Sequence, residues 1–327
     1  MQALNRPAQK LNFGVLLNQR FDQAIKVIHR NHCQPILACA VLLALVLSPA
    51  TMAFAADPIG VFVSILPQKQ FVERIGGDAV KVDVMVRPGE SPATYDPTPQ
   101  QMVVLAGAAA YFRIGVPFET VWIPKIQSTQ PHLQIVDTRA GIQLQPMGKA
   151  GHPGDHGHDT PPGSGGALDP HIWTSPPLVK QQVATIRDAL IALRPAERVR
   201  FEKGYAAYAA ELDALDAELR QVLAGKTERR FMVFHPSWGY LAHSYGLEQI
   251  PIEAEGKDPG PKALAALIER AKADGVRVIF VQRQFGRSAA DAVAQAIGGE
   301  VVEIDPLAED FLANTRTVAQ TLARTLK

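Results

Sequence analysis

Apolar, β-branched runs recur eight times along the chain, and their arrangement constrains the fold more than any other feature. One set of four covers 60–66, 80–86, 109–114 and 133–137; the other covers 231–234, 250–253, 276–281 and 301–304. Helical patterns separate most of these runs, as at 99–106 and 261–273. Strands alternating with helices imply parallel sheets with helices on both faces. Between the two sets lies a mostly helical stretch, 176–223. Within it Tyr205, Tyr208, Leu212, Leu215, Leu219 and Val222 follow steps of three and four, one apolar stripe on one helix. Pro195 suits the first turn of that helix and Gly225 stands just past its end. A helix over 196–224 is about 43 Å long and can brace two lobes as a strut. The expected fold class is α/β: two lobes, each with a four-stranded, mainly parallel sheet, joined by one long connecting helix.

The opening segment reads differently. Residues 36–47 (ILACAVLLALVL) are uncharged and apolar. The run is shorter than the roughly 20 residues a spanning helix needs. Lys26, His29 and Arg30 precede it and Ala53-Phe54-Ala55 follows, the three-part layout of a secretory signal with cleavage after Ala55. Cys39 sits inside the run rather than after it, so no lipid anchor is expected there. Later runs are too short to span a membrane. The expected organisation is a cleaved signal over 1–55, a first lobe over 56–195, the connecting helix over 196–224 and a second lobe over 225–327. The expected location is the periplasm.

Composition narrows the chemistry. The 1–55 segment holds five of the 33 basic residues and one of the 32 acidic ones, which leaves the body at a net charge of −3. A slightly acidic body gives no electrostatic reason to bind nucleic acid. Both cysteines, Cys33 and Cys39, lie in the opening segment. A metal site in the body must therefore use nitrogen and oxygen ligands.

Seven of the nine histidines follow the signal. His152, His156 and His158 fall in the Gly- and Pro-rich tract 148–166, beside Asp155 and Asp159. This composition cannot pack a core, and its imidazoles suit zinc, copper or nickel. His171 lies in Leu-Asp-Pro-His-Ile-Trp directly after the tract, His235 follows the strand run 231–234, and Asp305 follows 301–304. Strand carboxyl ends are where open α/β sheets bind ligands. Two imidazoles and a carboxylate make a reasonable set for zinc.

Four ordered landmarks carry a resemblance: PGESPATYDPTPQQM (88–102), DPHIW (169–173), FHPSWGYLAHSYGL (234–247) and DPLAEDF (305–311). Over residues 57–327 the chain resembles the metal-specific solute-binding proteins of bacterial ABC importers, the zinc and manganese receptor family. The resemblance implies a metal cleft between two four-stranded lobes, with His171, His235 and Asp305 at three of four ligand positions. His235 and the His-rich tract resemble the zinc-type members, so Zn²⁺ is the expected cargo and Mn²⁺ the weaker one. It also implies a membrane permease as partner, and a monomer is expected. Where the family pattern reads Pro-His-x-Tyr, this chain has Pro92-Ala93-Thr94-Tyr95, and alanine cannot coordinate a metal. Water, a loop histidine or Glu90 is left to complete the site, or the site is retuned.

The expectation is thus a non-enzymatic binding protein. A zinc hydrolase is the enzyme alternative, with Glu90, Glu253 and Glu255 as candidate bases. No HExxH, GxSxG or phosphate-loop motif supports it. A scaffold turned to another solute or to adhesion is the third reading.

Overall fold

The structure is a computed structural model and describes residues 57–147, 168–253 and 257–326. The signal segment and the His-rich tract with His152, His156 and His158 lie outside the described residues. The eight expected strands all form. The first sheet holds β1 (Ile59–Val63), β2 (Val80–Val84), β3 (Ala110–Arg113) and β4 (Gln134–Asp137). It is covered by α1 (Leu66–Gly76), α2 (Pro99–Leu105) and α3 (Pro117–Thr129). Next come α4 (Pro176–Leu193), a short 3-10 turn over Pro195–Glu197, and α5 (Arg198–Val222). The second sheet holds β5 (Arg230–Val233), β6 (Glu248–Pro251), β7 (Val278–Val281) and β8 (Glu300–Glu303). Its helices are α6 (Gly239–Ser244), α7 (Pro261–Ala273), α8 (Ser288–Ile297) and α9 (Phe311–Thr325).

The sheets share one topology. Strand order is β2-β1-β3-β4 in the first and β6-β5-β7-β8 in the second, with every pair parallel. In each sheet the order reverses between the first and third strands. That is where loops leave in opposite directions and open a crevice at the carboxyl edge. Prolines set the helix starts: α1, α2, α3, α4 and α7 each carry Pro in their first turn. There the absent N–H costs nothing. Thr98 and Gln101 complete the start of α2 as a reciprocal capping box.

Period-2 alternation sends the second sheet's residues to two different cores. On β5, Phe231 and Val233 face the main cluster, which runs through the first lobe, α4, α5 and α9. Met232 faces a separate cluster with Ile250, Ile279, Leu267 and Val293. Strands covered on both faces in this way read as continuous apolar runs.

The connecting helix is 25 residues long, with its regular part starting at Arg198 after the 3-10 turn. Tyr208, Leu212, Leu215 and Leu219 of the stripe are buried. From this helix Tyr208 meets Phe71 of α1 at 6.2 Å between ring centres. Glu218 accepts from Arg316 of α9 at 2.8 Å. One helix therefore touches both lobes. Gly204 sits where α5 comes nearest α1: a Cβ built there falls 2.4 Å from the Ile75 carbonyl oxygen. Among the described residues no helix is long and apolar enough to cross a membrane.

Candidate metal centre

His171 and His235 reach the same point from different lobes. His171 stands at the head of the Ile172–Thr174 turn that leads into α4. Its backbone N–H and its ring Nδ1 both donate to Asp169 Oδ1, at 2.9 and 2.6 Å. His235 follows β5 and donates from Nδ1 to Glu253 Oε1, just past β6, at 2.7 Å. Each carboxylate holds the ring proton on Nδ1 and leaves the Nε2 lone pair outward. The two Nε2 atoms face one another at 3.3 Å. Two bare lone pairs at that separation repel, and a cation shared between them turns the repulsion into bonding. Chemically, the pair can serve as two donors to a cation.

Both rings are fixed from the side as well. Phe285 stacks on His235 at 4.6 Å between ring centres, with 24° between planes. Trp173 lies 5.0 Å from His171 and donates from its indole nitrogen to the Pro306 carbonyl at 2.8 Å. Asp169 is itself held, since its carbonyl accepts from the Tyr240 hydroxyl of α6 and its N–H donates to Gln145. His171 is 8% exposed and Asp169 2%. Burial pushes the His235 imidazole below its ordinary pKa, against the opposing pull of the Glu253 bond. The neutral form, the one that binds metal, is thereby favoured.

The pair opens into a cavity shared with Ser91, Pro92 and Ala93 of the first lobe, and with Val116, Pro117, Phe285 and Leu307. Position 93 thus stands on the same cavity as both histidines. Asp305 does not. It lines the neighbouring cavity with Arg87, Arg283 and Glu309. Its Oδ1 accepts from the Leu307 N–H at 2.8 Å, so the carboxylate closes its own turn. Among the described residues no three His, Cys, Asp or Glu side chains form a group able to hold a metal. Glu90 is exposed and absent from the cavity wall. The Tyr95 hydroxyl donates to Gln101 at 2.8 Å.

Three side chains that hold the pair carry little signal in the sequence: Asp169 shows only as part of DPHIW, Glu253 only as a candidate base, and Gln282, which bonds the His235 N–H and carbonyl, only as a polar residue after an apolar strand.

Residues 61–325 match the family model described as zinc-uptake complex component A, periplasmic (ZnuA). The high-affinity zinc uptake system protein ZnuA of Bacillus subtilis (strain 168) is 29% identical over 279 residues, 83% of this chain and 86% of its own. The zinc-binding lipoprotein AdcA of Streptococcus pneumoniae serotype 4 is 29% identical over 83% of this chain. The chain spans 54% of that relative's length. Among solved structures, the crystal structure of a ZnuA superposes with a TM-score of 0.75 at 40% identity, covering 82% of this chain and 99% of its own. With the model matched over both lobes and the crystal structure reproduced nearly end to end, the chain belongs to the zinc-uptake complex component A (ZnuA) family.

Proposed function

We propose that this protein captures Zn²⁺ outside the cytoplasmic membrane and presents it to the permease of an ABC importer. One observation carries the reading: two Nε2 lone pairs meet at 3.3 Å while both Nδ1 atoms are bonded to buried carboxylates. Outer carboxylates of this kind orient metal-binding imidazoles and raise their basicity. Nitrogen donors favour zinc over manganese. The relatives named for zinc uptake and zinc binding support the same cargo.

His171 and His235 are the proposed ligands. Asp305 was expected beside them; it lines the neighbouring cavity, with Oδ1 bonded to the Leu307 N–H. The protein acts as a monomer and as a carrier rather than a catalyst. Glu253, the most buried of the candidate hydrolase bases among the described residues, is occupied by His235, which supports the carrier role. The absence of a lipid anchor draws no support from the relatives, one of which is named a lipoprotein.

Calorimetric titration of the purified protein with Zn²⁺ tests the reading. His171→Ala and His235→Ala should each weaken binding at least thirtyfold, whereas Asp305→Asn should change it less than threefold. Mn²⁺ should bind far more weakly than Zn²⁺. Unchanged zinc affinity in both histidine variants overturns the assignment.

A further inference from the structure

In a tetrahedral shell, two nitrogens each about 2.0–2.1 Å from zinc stand about 3.3–3.4 Å apart. The Nε2 atoms of His171 and His235 are 3.3 Å apart. The two rings come from different lobes, so this spacing depends on how the lobes are set against each other. Metal–ligand distances hold to about 0.2 Å, so a lobe shift of a few tenths of an ångström reaches the site. A contact between α1 of the first lobe and α9 of the second bears on that setting. Gln70 of α1 accepts at Oε1 from the Phe311 N–H, the first of α9, at 3.0 Å. The same oxygen accepts from the Tyr208 hydroxyl of the connecting helix at 3.4 Å. Its Nε2 donates to Asp310 Oδ1 at 3.3 Å. Asp310 is the N-cap of α9, and that Oδ1 also accepts from the Ala313 N–H at 3.1 Å. One amide thus serves a helix start in the other lobe, where backbone N–H groups lack partners of their own. Beside it, Phe71 meets Phe311 edge-on at 5.3 Å between ring centres, and Lys69 pairs with Glu309.

The turn that leads into α9 runs back to the metal centre. Asn314 of α9 donates to the Asp305 carbonyl at 2.6 Å, and the next carbonyl, that of Pro306, receives the Trp173 indole beside His171. We propose that Gln70 is a positioning residue of the zinc site: it clasps the start of α9 across the lobe boundary and so keeps the two imidazoles at zinc spacing. The inference rests on the zinc reading above and adds to it a residue outside the ligand set. Clasp and metal are then coupled in both directions. Whatever loosens the clasp weakens zinc binding, and bound zinc tightens the clasp by the same factor.

Zinc release from the loaded protein into excess EDTA, followed well below the melting temperature, tests this with a double-mutant cycle. Gln70→Glu keeps the acceptor toward the Phe311 N–H but sets a second carboxylate against that of Asp310, and like charges repel. Asp310→Asn removes the repulsion and still caps the helix. Gln70→Glu should speed release about fivefold or more, and Asp310→Asn alone less than about twofold. The double variant should return to within about twofold of wild type. Cobalt loaded in place of zinc reports the ligand geometry, which a loss of stability alone does not move. Its visible bands should change in Gln70→Glu and recover in the double variant. Release and bands at wild-type values in Gln70→Glu, or no recovery in the double variant, overturn the positioning role and leave the zinc reading standing. A wild-type protein that holds no zinc overturns the zinc reading, and the positioning role with it.

Discussion

Gln282 holds His235 by both of its backbone groups. Its Oε1 accepts from the His235 N–H at 3.2 Å, and its Nε2 donates to the His235 carbonyl at 2.7 Å. Gln282 follows β7, His235 lies just past β5, and the two strands are neighbours. One amide side chain thus continues the sheet's pairing by one residue, at the point where the chain turns away to place the imidazole. Gln282 is 1% exposed, so neither bond is shared with bulk water.

Gln282→Ala should therefore cost zinc affinity before it costs fold. Losing both bonds frees the His235 backbone, and disturbing a metal site's outer partners weakens binding about 10–100-fold. Gln282→Glu keeps the acceptor toward the N–H but sets a buried carboxylate oxygen against the His235 carbonyl, and should bind zinc no better than alanine. Calorimetric Kd values set against melting temperatures of the metal-free proteins check this. A melting temperature that drops while Kd stays put would make Gln282 a purely structural residue.

The strands were legible because local pattern and burial agree on them. Phe231, Met232 and Val233 are all buried, on alternate faces, so an apolar run could only be an interior strand. The helix stripe from Tyr208 to Leu219 was legible for the same reason at a different period. The ring anchors were not, because they are contacts through space. Glu253 lies 18 residues from His235, and Gln282 lies 47. Asp305 is a different case: it occupies a strand end as a ligand does, but it lines the neighbouring cavity, and its Oδ1 accepts from the Leu307 N–H two residues on.

Gly204→Ala tests the contact between the connecting helix and α1. Alanine has the better helix propensity, by about 1 kcal/mol. Against that, its Cβ would stand 2.4 Å from the Ile75 carbonyl and 2.9 Å from that of Arg74, both backbone atoms that cannot step aside alone. Forcing packed elements apart costs about 1–3 kcal/mol, so the overlap should win. Chemical denaturation should show net destabilisation; a gain in stability would mean the two helices separate freely.

Acid should weaken the pair at the end of β4. Burial pushes the Asp137 carboxyl up, but the Arg139 side chain and N–H bonded to it, at 2.6 to 3.0 Å, outweigh this and bring it below its ordinary value. A carboxyl with a depressed folded pKa adds stability above its unfolded value of about 3.9, and loses it as pH falls through the folded value. The stability gap between wild type and Asp137→Asn should thus be constant above about pH 5 and close on further acidification. The pair is partly exposed, so the gap should also shrink in high salt. Urea melts across a pH series read this directly, and a gap that widens in acid would reverse the assignment.

Ala93 offers the most direct test of how the site is completed. It lines one cavity with His171 and His235, at the position where the family pattern has histidine. Ala93→His brings an imidazole to the open side of the pair without disturbing either carboxylate-anchored ring. A nitrogen held in place by the protein replaces a water or a less firmly placed ligand, and so spares the entropy of immobilising it. Zinc should bind at least tenfold more tightly, about 1.4 kcal/mol. X-ray absorption of the zinc-loaded proteins should count more imidazoles in the variant than in wild type. If the variant binds zinc no better and its imidazole count does not rise, position 93 does not face the metal, and the cavity's first-lobe wall must be assigned to some other task.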